Sequence, residues 1–201
     1  MSSQQSQRFQ ALIARIDALN SQDPNQDLIE GVAVPRELLY SKRLTDWVLR
    51  LAPDASEALR IAARGQHLCR WTISRSRYEA GRRGYLRWRE TLKAFHAERV
   101  AELMRAAGYP DDLVQRVKVI MGKRELPCDA ETQTLEDALC LVFLETQFAD
   151  LRKKTPEDTM RVVHQKTWKK MSALGRAEAL KLPLGEADRR FLEGAITESL
   201  Q

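Results

Sequence analysis

Three histidines, a pair of adjacent acids inside an apolar run and a crowd of arginines are the residues of this 201-residue chain with types and spacing suited to chemistry. His67 lies in "LRIAARGQHLCRW", residues 59–71. Leu59, Ile61, Ala62 and Ala63 read as core, and then Arg64, Gln66 and His67 break the apolar pattern. The stretch reads as helix, on which Arg60, Arg64, His67 and Trp71 follow i, i+4, i+7 and i+11 and share one face. A histidine beside two arginines suits an anion. His96 lies in "KAFHAERV" and Glu136 and Asp137 in "TLEDALCLVFLE". A buried carboxylate is costly unless it is paired or binds a metal. The plainer alternative for Asp137 is a polar seam with an arginine partner. His164 has no evident partner in the sequence.

The arginines are unevenly spread. Nine stand between Arg60 and Arg89 with no lysine and a single acid, Glu79, so this window carries +8 of a net +5 chain. Arginine presents a planar fork that matches phosphate oxygens. Three readings stay open: a solvated face, a nucleotide phosphate site, and an RNA-binding surface with Tyr78, Tyr85 and Trp88 as stacking platforms. Cys69, Cys128 and Cys140 are odd in number and widely spaced, which implies buried thiols rather than a disulfide framework or zinc ribbon. No apolar run approaches the ~20 residues of a membrane span. The polar "MSSQQSQRFQ" start lacks a signal core, so the expected location is cytoplasmic.

The elements that must hold these residues read as helices nearly throughout. Phe9, Leu12, Ile13, Ile16 and Leu19 repeat at helical spacing. Pro35 opens a helix that stops before Pro53, and Asp54 with Glu57 forms an expected capping box for the next. Residues 72–81 read as loop. A long helix is expected from about 84 to 107 with Gly108 as its stop, and another from Pro110 to about 122. "TQTLEDALCLVFLETQF" reads as a central helix. "TPED" at 155–158 reads as a helix start with Thr155 as cap, and a last helix is expected at about 186–199. No strand and no internal repeat are evident. "KKMSALG" at 169–175 has the lysine-methionine-serine pattern of class I aminoacyl-tRNA synthetases. A helical chain offers none of the parallel sheet that loop requires, so the stretch reads as the end of an amphipathic helix with Trp168 and Met171 packing.

The order of the polar groups resembles the HD-domain metal-dependent phosphohydrolases, through "YSKRLTDWVLRLAPDASEALRIAARGQHLC", "FHAERVAELMRAAGYPDDLVQRVKVIMGK" and "LEDALCLVFLE", about residues 38–145. The resemblance implies that His67, His96 and Asp137 hold one divalent metal ion. Tyr40, Leu68 and Lys123 stand where that family has metal ligands, so the resemblance is to a degenerate member. The whole chain resembles the family called domain of unknown function 4202 more closely, through "IDALNSQDPN", "YSKRLTDW", "GYLRWRETLKAFHA", "LEDALCLVFLE" and "KTWKKMS". That family carries no stated activity.

The expectation is therefore an all-α, HD-like single domain of seven or eight helices over residues 1–201, with C-terminal helices at about 155–199 packing on the HD-like part. Its expected function is metal-assisted hydrolysis or binding of a phosphorylated small molecule such as a nucleotide. Glu136 would serve as the catalytic base or ligand-orienting group, and Arg64, Arg70 and Lys123 would hold phosphate. The rivals are a ligand sensor without catalysis and an RNA-binding module.

Overall fold

The computed structural model describes residues 3–198 apart from 124 and 127. The fold is all-α with one small hairpin, in the order α1 (Ser3–Asn20), β1 (Gln26–Ile29), β2 (Val32–Pro35), α2 (Arg36–Leu51), α3 (Glu57–Gly65), α4 (Gly81–Ala106), α5 (Asp111–Gly122), α6 (Ala130–Thr146), α7 (Phe148–Lys154), α8 (Glu157–Lys170), α9 (Ala173–Ala179) and α10 (Glu186–Glu198). Ten α-helices among the described residues exceed the expected seven or eight, because one-to-two-turn pieces such as α7 and α9 carry little periodic signal. The chain divides into two compact units, residues 1–135 and 136–201.

In the first unit α3 is the centre. Its Leu59, Ile61, Ala62 and Ala63 are at most 1% exposed, and it packs on α1, α2, α4 and α5. Phe9, Leu12 and Ile16 of α1, Leu44 and Val48 of α2, and Val100 and Met104 of α4 complete this core. Gly65 permits a close approach of α3 to α4: a Cβ there would overlap Val100 Cγ2. The N-cap of α3 is Ser56, whose hydroxyl accepts from the Leu59 N–H at 3.1 Å, in place of the expected Asp54. The unforeseen hairpin pairs Gln26–Ile29 with Val32–Pro35 through Glu30 and Gly31, both at positive φ, as a two-residue turn of right-handed strands requires. Its strands are four residues each and half exposed, too short for alternation to show.

Gly108, at φ +74°, follows α4 as expected, and Lys123, in the left-handed conformation, ends α5. At the start of α8 Pro156 takes the cap position without a side-chain bond, in place of Thr155, and Glu157 and Asp158 fill the first turn. The last helix matches the expected 186–199 up to Glu198, and residue 199 lies outside the described residues.

In the second unit the apolar face of α6 supplies Ala138, Leu141, Val142 and Leu144, all buried, as its composition implied. Phe148, Met160 and Leu192 join that core, with α8 packed on α10. Cys69 and Cys140 are buried free thiols, whereas Cys128 is exposed, unlike the buried thiol expected there. No helix among the described residues is long and apolar enough to cross a membrane.

Candidate functional site

The helix that should have carried Arg60, Arg64, His67 and Trp71 on one face ends at Gly65. The chain then turns through Gln66, His67 and Leu68 to Cys69, which is left-handed at φ +55°, and enters a 3₁₀ turn at Arg70–Thr72. The one-face reading therefore fails, because a helical spacing has meaning only while the helix lasts. Arg64 stays on α3 and forks onto Asp17 of α1 at 2.7 and 2.8 Å, with Thr45 as a further contact. Its guanidinium is spent on joining α1 to α3.

Beyond α3 the turn is pinned on three sides. The Cys69 N–H donates to Asn20 Oδ1 at 3.2 Å, the Leu68 N–H to the Gly65 carbonyl at 3.0 Å, and the Leu68 carbonyl accepts from His96 Nδ1 at 2.9 Å. The Leu68 side chain is fully buried, so this position contributes a carbonyl and packing. His67 is thereby held against α2. Its ring stacks on Tyr40 with centroids 4.1 Å apart, and its Nδ1 lies 3.0 Å from Glu37 Oε2 across a hydrogen bond. Glu37 stands in the first turn of α2, whose backbone N–H at this residue donates to Asp23 Oδ2 at 3.0 Å. Arg70 Nε lies 3.6 Å from the other Glu37 oxygen, and its guanidinium covers the Trp88 ring at 4.7 Å.

His67 and His96 come together, with ring centroids 5.7 Å apart. Because Nδ1 of His96 donates to a carbonyl, its Nε2 carries the lone pair. That atom is buried without a hydrogen-bond partner among the described residues. Burial raises the Glu37 carboxyl to about 7, against the opposing pull of Arg70. Burial first, then the positive charge of Arg70, Arg89 and Lys123, holds His67 well below its ordinary range. Burial and then His67 push His96 down to about 3. Near neutral pH the cluster thus holds two uncharged imidazoles and a carboxyl close to its midpoint. With Glu37 protonated, its O–H donates to His67 Nδ1; with Glu37 ionised, Nδ1–H donates to it and Nε2 becomes a base. The arrangement suits proton transfer beside an anion.

The chain matches the model of a family described as Domain of unknown function (DUF4202) over residues 10–191. It belongs to that family. The matched region includes every residue of the DUF4202 cluster just described. No curated protein and no solved structure matches the chain.

The remaining candidates of this DUF4202 chain fall in the second unit or at the end of α5. Asp137 accepts from the Ser172 N–H at 2.8 Å and from the Ser172 hydroxyl, and so fastens α6 to the start of α9. Gly175 is required there, since a Cβ would lie 2.6 Å from Asp137 Cγ. Glu136 is buried, with Lys170 Nζ 3.4 Å from Oε1. Lys123 caps α5 and acts electrostatically on His67. For one divalent ion, His96 offers an Nε2 without a hydrogen-bond partner among the described residues, and His67, bonded to Glu37 through Nδ1, has its Nε2 as the second donor. Asp137 meanwhile directs both oxygens at Ser172. Among the described residues no group of three or more His, Cys, Asp or Glu is placed to hold a metal. The residues thus fit a metal in part only: two imidazoles together, without a third donor.

Sequence reasoning missed Glu37 and the stacking of Tyr40. An acid in the first turn after Pro35 reads as a complement to the helix dipole, and nothing local marks it as buried. A separate open cavity of about 670 Å³, lined by Gln4, Gln7, Arg8, Ala11, Ala107 and Gly108, has none of the acid–base groups of the cluster.

Proposed function

We propose that the first unit binds a phosphorylated small molecule, of which a nucleotide is the leading class, beside His67. Arg70 and Lys123 would hold phosphate, with the Glu37–His67 pair moving a proton. The observation that carries this reading is the buried His96 Nε2, which has no hydrogen-bond partner among the described residues, next to the His67 imidazole on which the charges of Arg70, Arg89 and Lys123 act. A buried acceptor left unmatched costs about 1–3 kcal/mol, so its retention fits a group that a ligand satisfies. The resemblance to HD-domain phosphohydrolases supports the same ligand class. One divalent ion on the two imidazoles is the metal-assisted form of this reading; Asp137, the third ligand that the resemblance implies, is engaged by Ser172 within the second unit. A metal would add a positive charge against phosphate oxygen. Glu136, Asp137 and Arg64 have structural partners in the chain, which weighs toward the Glu37–His67–His96 group as the working centre.

The test is calorimetric titration of the full chain with inorganic phosphate and with ADP, after chelation and again with Mn²⁺ or Zn²⁺. Binding that falls about tenfold or more in a folded Arg70→Ala variant supports the site, since a charge-assisted bond contributes about 1.5–3 kcal/mol. Unchanged affinity in that variant, or no binding to wild type under any condition, overturns it. Metal dependence of the binding, lost in His96→Gln, separates the metal-assisted form from binding alone.

A further inference from the structure

The first three turns of α4 carry charge that the first unit does not use. Between Gly81 and Thr91 only Gly84 and, in part, Trp88 are covered. Arg82 and Arg83 are exposed and their side chains make no hydrogen bond or ion pair among the described residues, and the same holds for the Arg77 side chain just upstream. Arg87 reaches only Glu79, at 3.6 Å, with both side chains more than 60% exposed. Arg89 donates to the Tyr85 hydroxyl at 3.1 Å. Two apolar groups stand among these cations, Tyr85 at 42% and Leu86 at 50% exposure. Arg82, Tyr85, Leu86 and Arg89 recur at i, i+3, i+4 and i+7, which is one helix face. Arg83 and Arg87 form the next. Trp88 anchors the inner edge, its Nε1 donating to the Ile73 carbonyl at 2.9 Å.

We propose that this face of α4 binds single-stranded nucleic acid, with backbone phosphates on Arg82, Arg83, Arg87 and Arg89 and an unpaired base on Tyr85. Charge complementarity selects the occupant: a row of cations with only Glu79 and Glu90 nearby calls for a regularly spaced polyanion. The exposed ring selects a single strand, because only an unpaired base presents its face for stacking. Arginine stands in every cationic position from 60 to 89, and its planar fork takes phosphate oxygens bidentately. The surface stands independently of the small-molecule site at Glu37 and His67, and either proposal can fail while the other holds.

Fluorescence anisotropy of the full chain with a labelled oligouridine, and with a mixed-sequence duplex of equal length, tests this across salt. The expected result is oligouridine binding that weakens linearly in log[salt], by about 0.7 per phosphate contacted. Combined Arg82→Ala, Arg83→Ala and Arg87→Ala, all exposed and harmless to the core, should flatten that slope by roughly 2 on the same scale. Tyr85→Ala should cost about fivefold or more at unchanged slope, with Tyr85→Phe close to wild type. The triple variant should titrate with inorganic phosphate as wild type does, since its changes lie outside the His67 cluster. A folded triple variant with wild-type affinity and slope overturns the proposal. So does a duplex that binds as tightly as the oligouridine, or polyglutamate that competes as well as it does.

Discussion

Glu37 and the two imidazoles beside it draw the native state in opposite directions as pH changes. The Glu37 carboxyl rises from 4.5 to about 7 on folding, so the native state holds a proton that the unfolded chain has released. That contribution is fully present below 4.5 and is lost as pH climbs through 7. His67 and His96 shift downward, so their effect is the reverse: stability is intact above 6.5 and is lost as pH falls toward 3. Glu37→Gln removes only the alkaline side. Urea melts at pH 5 and pH 8.5 should show the variant losing less stability over that interval than wild type, by up to about 3 kcal/mol. Equal losses would mean that the Glu37 carboxyl is not raised. His164 offers a second residue-scale test in the other unit. It is 1% exposed among Phe148, Trp168 and Phe191, and neither ring nitrogen has a hydrogen-bond partner among the described residues. Burial lowers its pKa, so protonation below about 6.5 works against the fold. His164→Leu should raise stability by about 1 kcal/mol or more and reduce the loss between pH 7 and pH 5. A destabilised variant would show that the imidazole makes a bond essential to the unit.

Between elements, single close approaches decide which segments can meet. α3 comes against α4 at Gly65, and Gly65→Ala should cost about 1–3 kcal/mol as the new methyl displaces Val100. The turn that presents His67 begins at this residue, so phosphate affinity should fall together with the melting temperature. A stable Gly65→Ala chain would mean that the α3–α4 contact yields easily. In the second unit Ser172 caps α9, its hydroxyl accepting from the Gly175 N–H while donating to Asp137. Ser172→Ala and Asp137→Asn should each destabilise by about 1–2 kcal/mol, whether or not metal is present. If Asp137→Asn leaves the melt unchanged and abolishes Mn²⁺ or Zn²⁺ uptake, its role is that of a metal ligand instead.

For the whole chain, a ligand that binds only the folded state shifts the melt by mass action. At one hundred times its dissociation constant, ADP or phosphate would stabilise by about 2.7 kcal/mol. For a chain of this length that corresponds to a rise of roughly 5–10 °C. Arg70→Ala should shrink that rise while leaving the ligand-free melt nearly unchanged, since Arg70 lies over Trp88 at the edge of the first unit rather than in its core. A rise of the same size in both proteins would place the bound anion elsewhere on this basic chain.

Helical periodicity was legible because each helix needs an apolar stripe, and the stripes of α1, α2, α4, α5 and α6 run for three turns or more. Gly108 after α4 and Pro110 before α5 marked their boundaries for local reasons too, glycine by taking the left-handed backbone and proline by lacking the N–H that a preceding helix would need. The family, too, could be read from residue order alone. What no local rule carried was the fate of the polar side chains. Arg64 and Arg70 look alike in sequence, yet one forks onto Asp17 and the other lies beside Glu37, because α1 and α2 approach α3 from different sides. Asp137 meets Ser172, which lies thirty-five residues later and carries no mark of the encounter. Glu37 becomes a near-neutral acid only because packing buries it, beside His67. Burial and long-range partners set the chemistry of an ionisable group, and both exist only once the helices have packed.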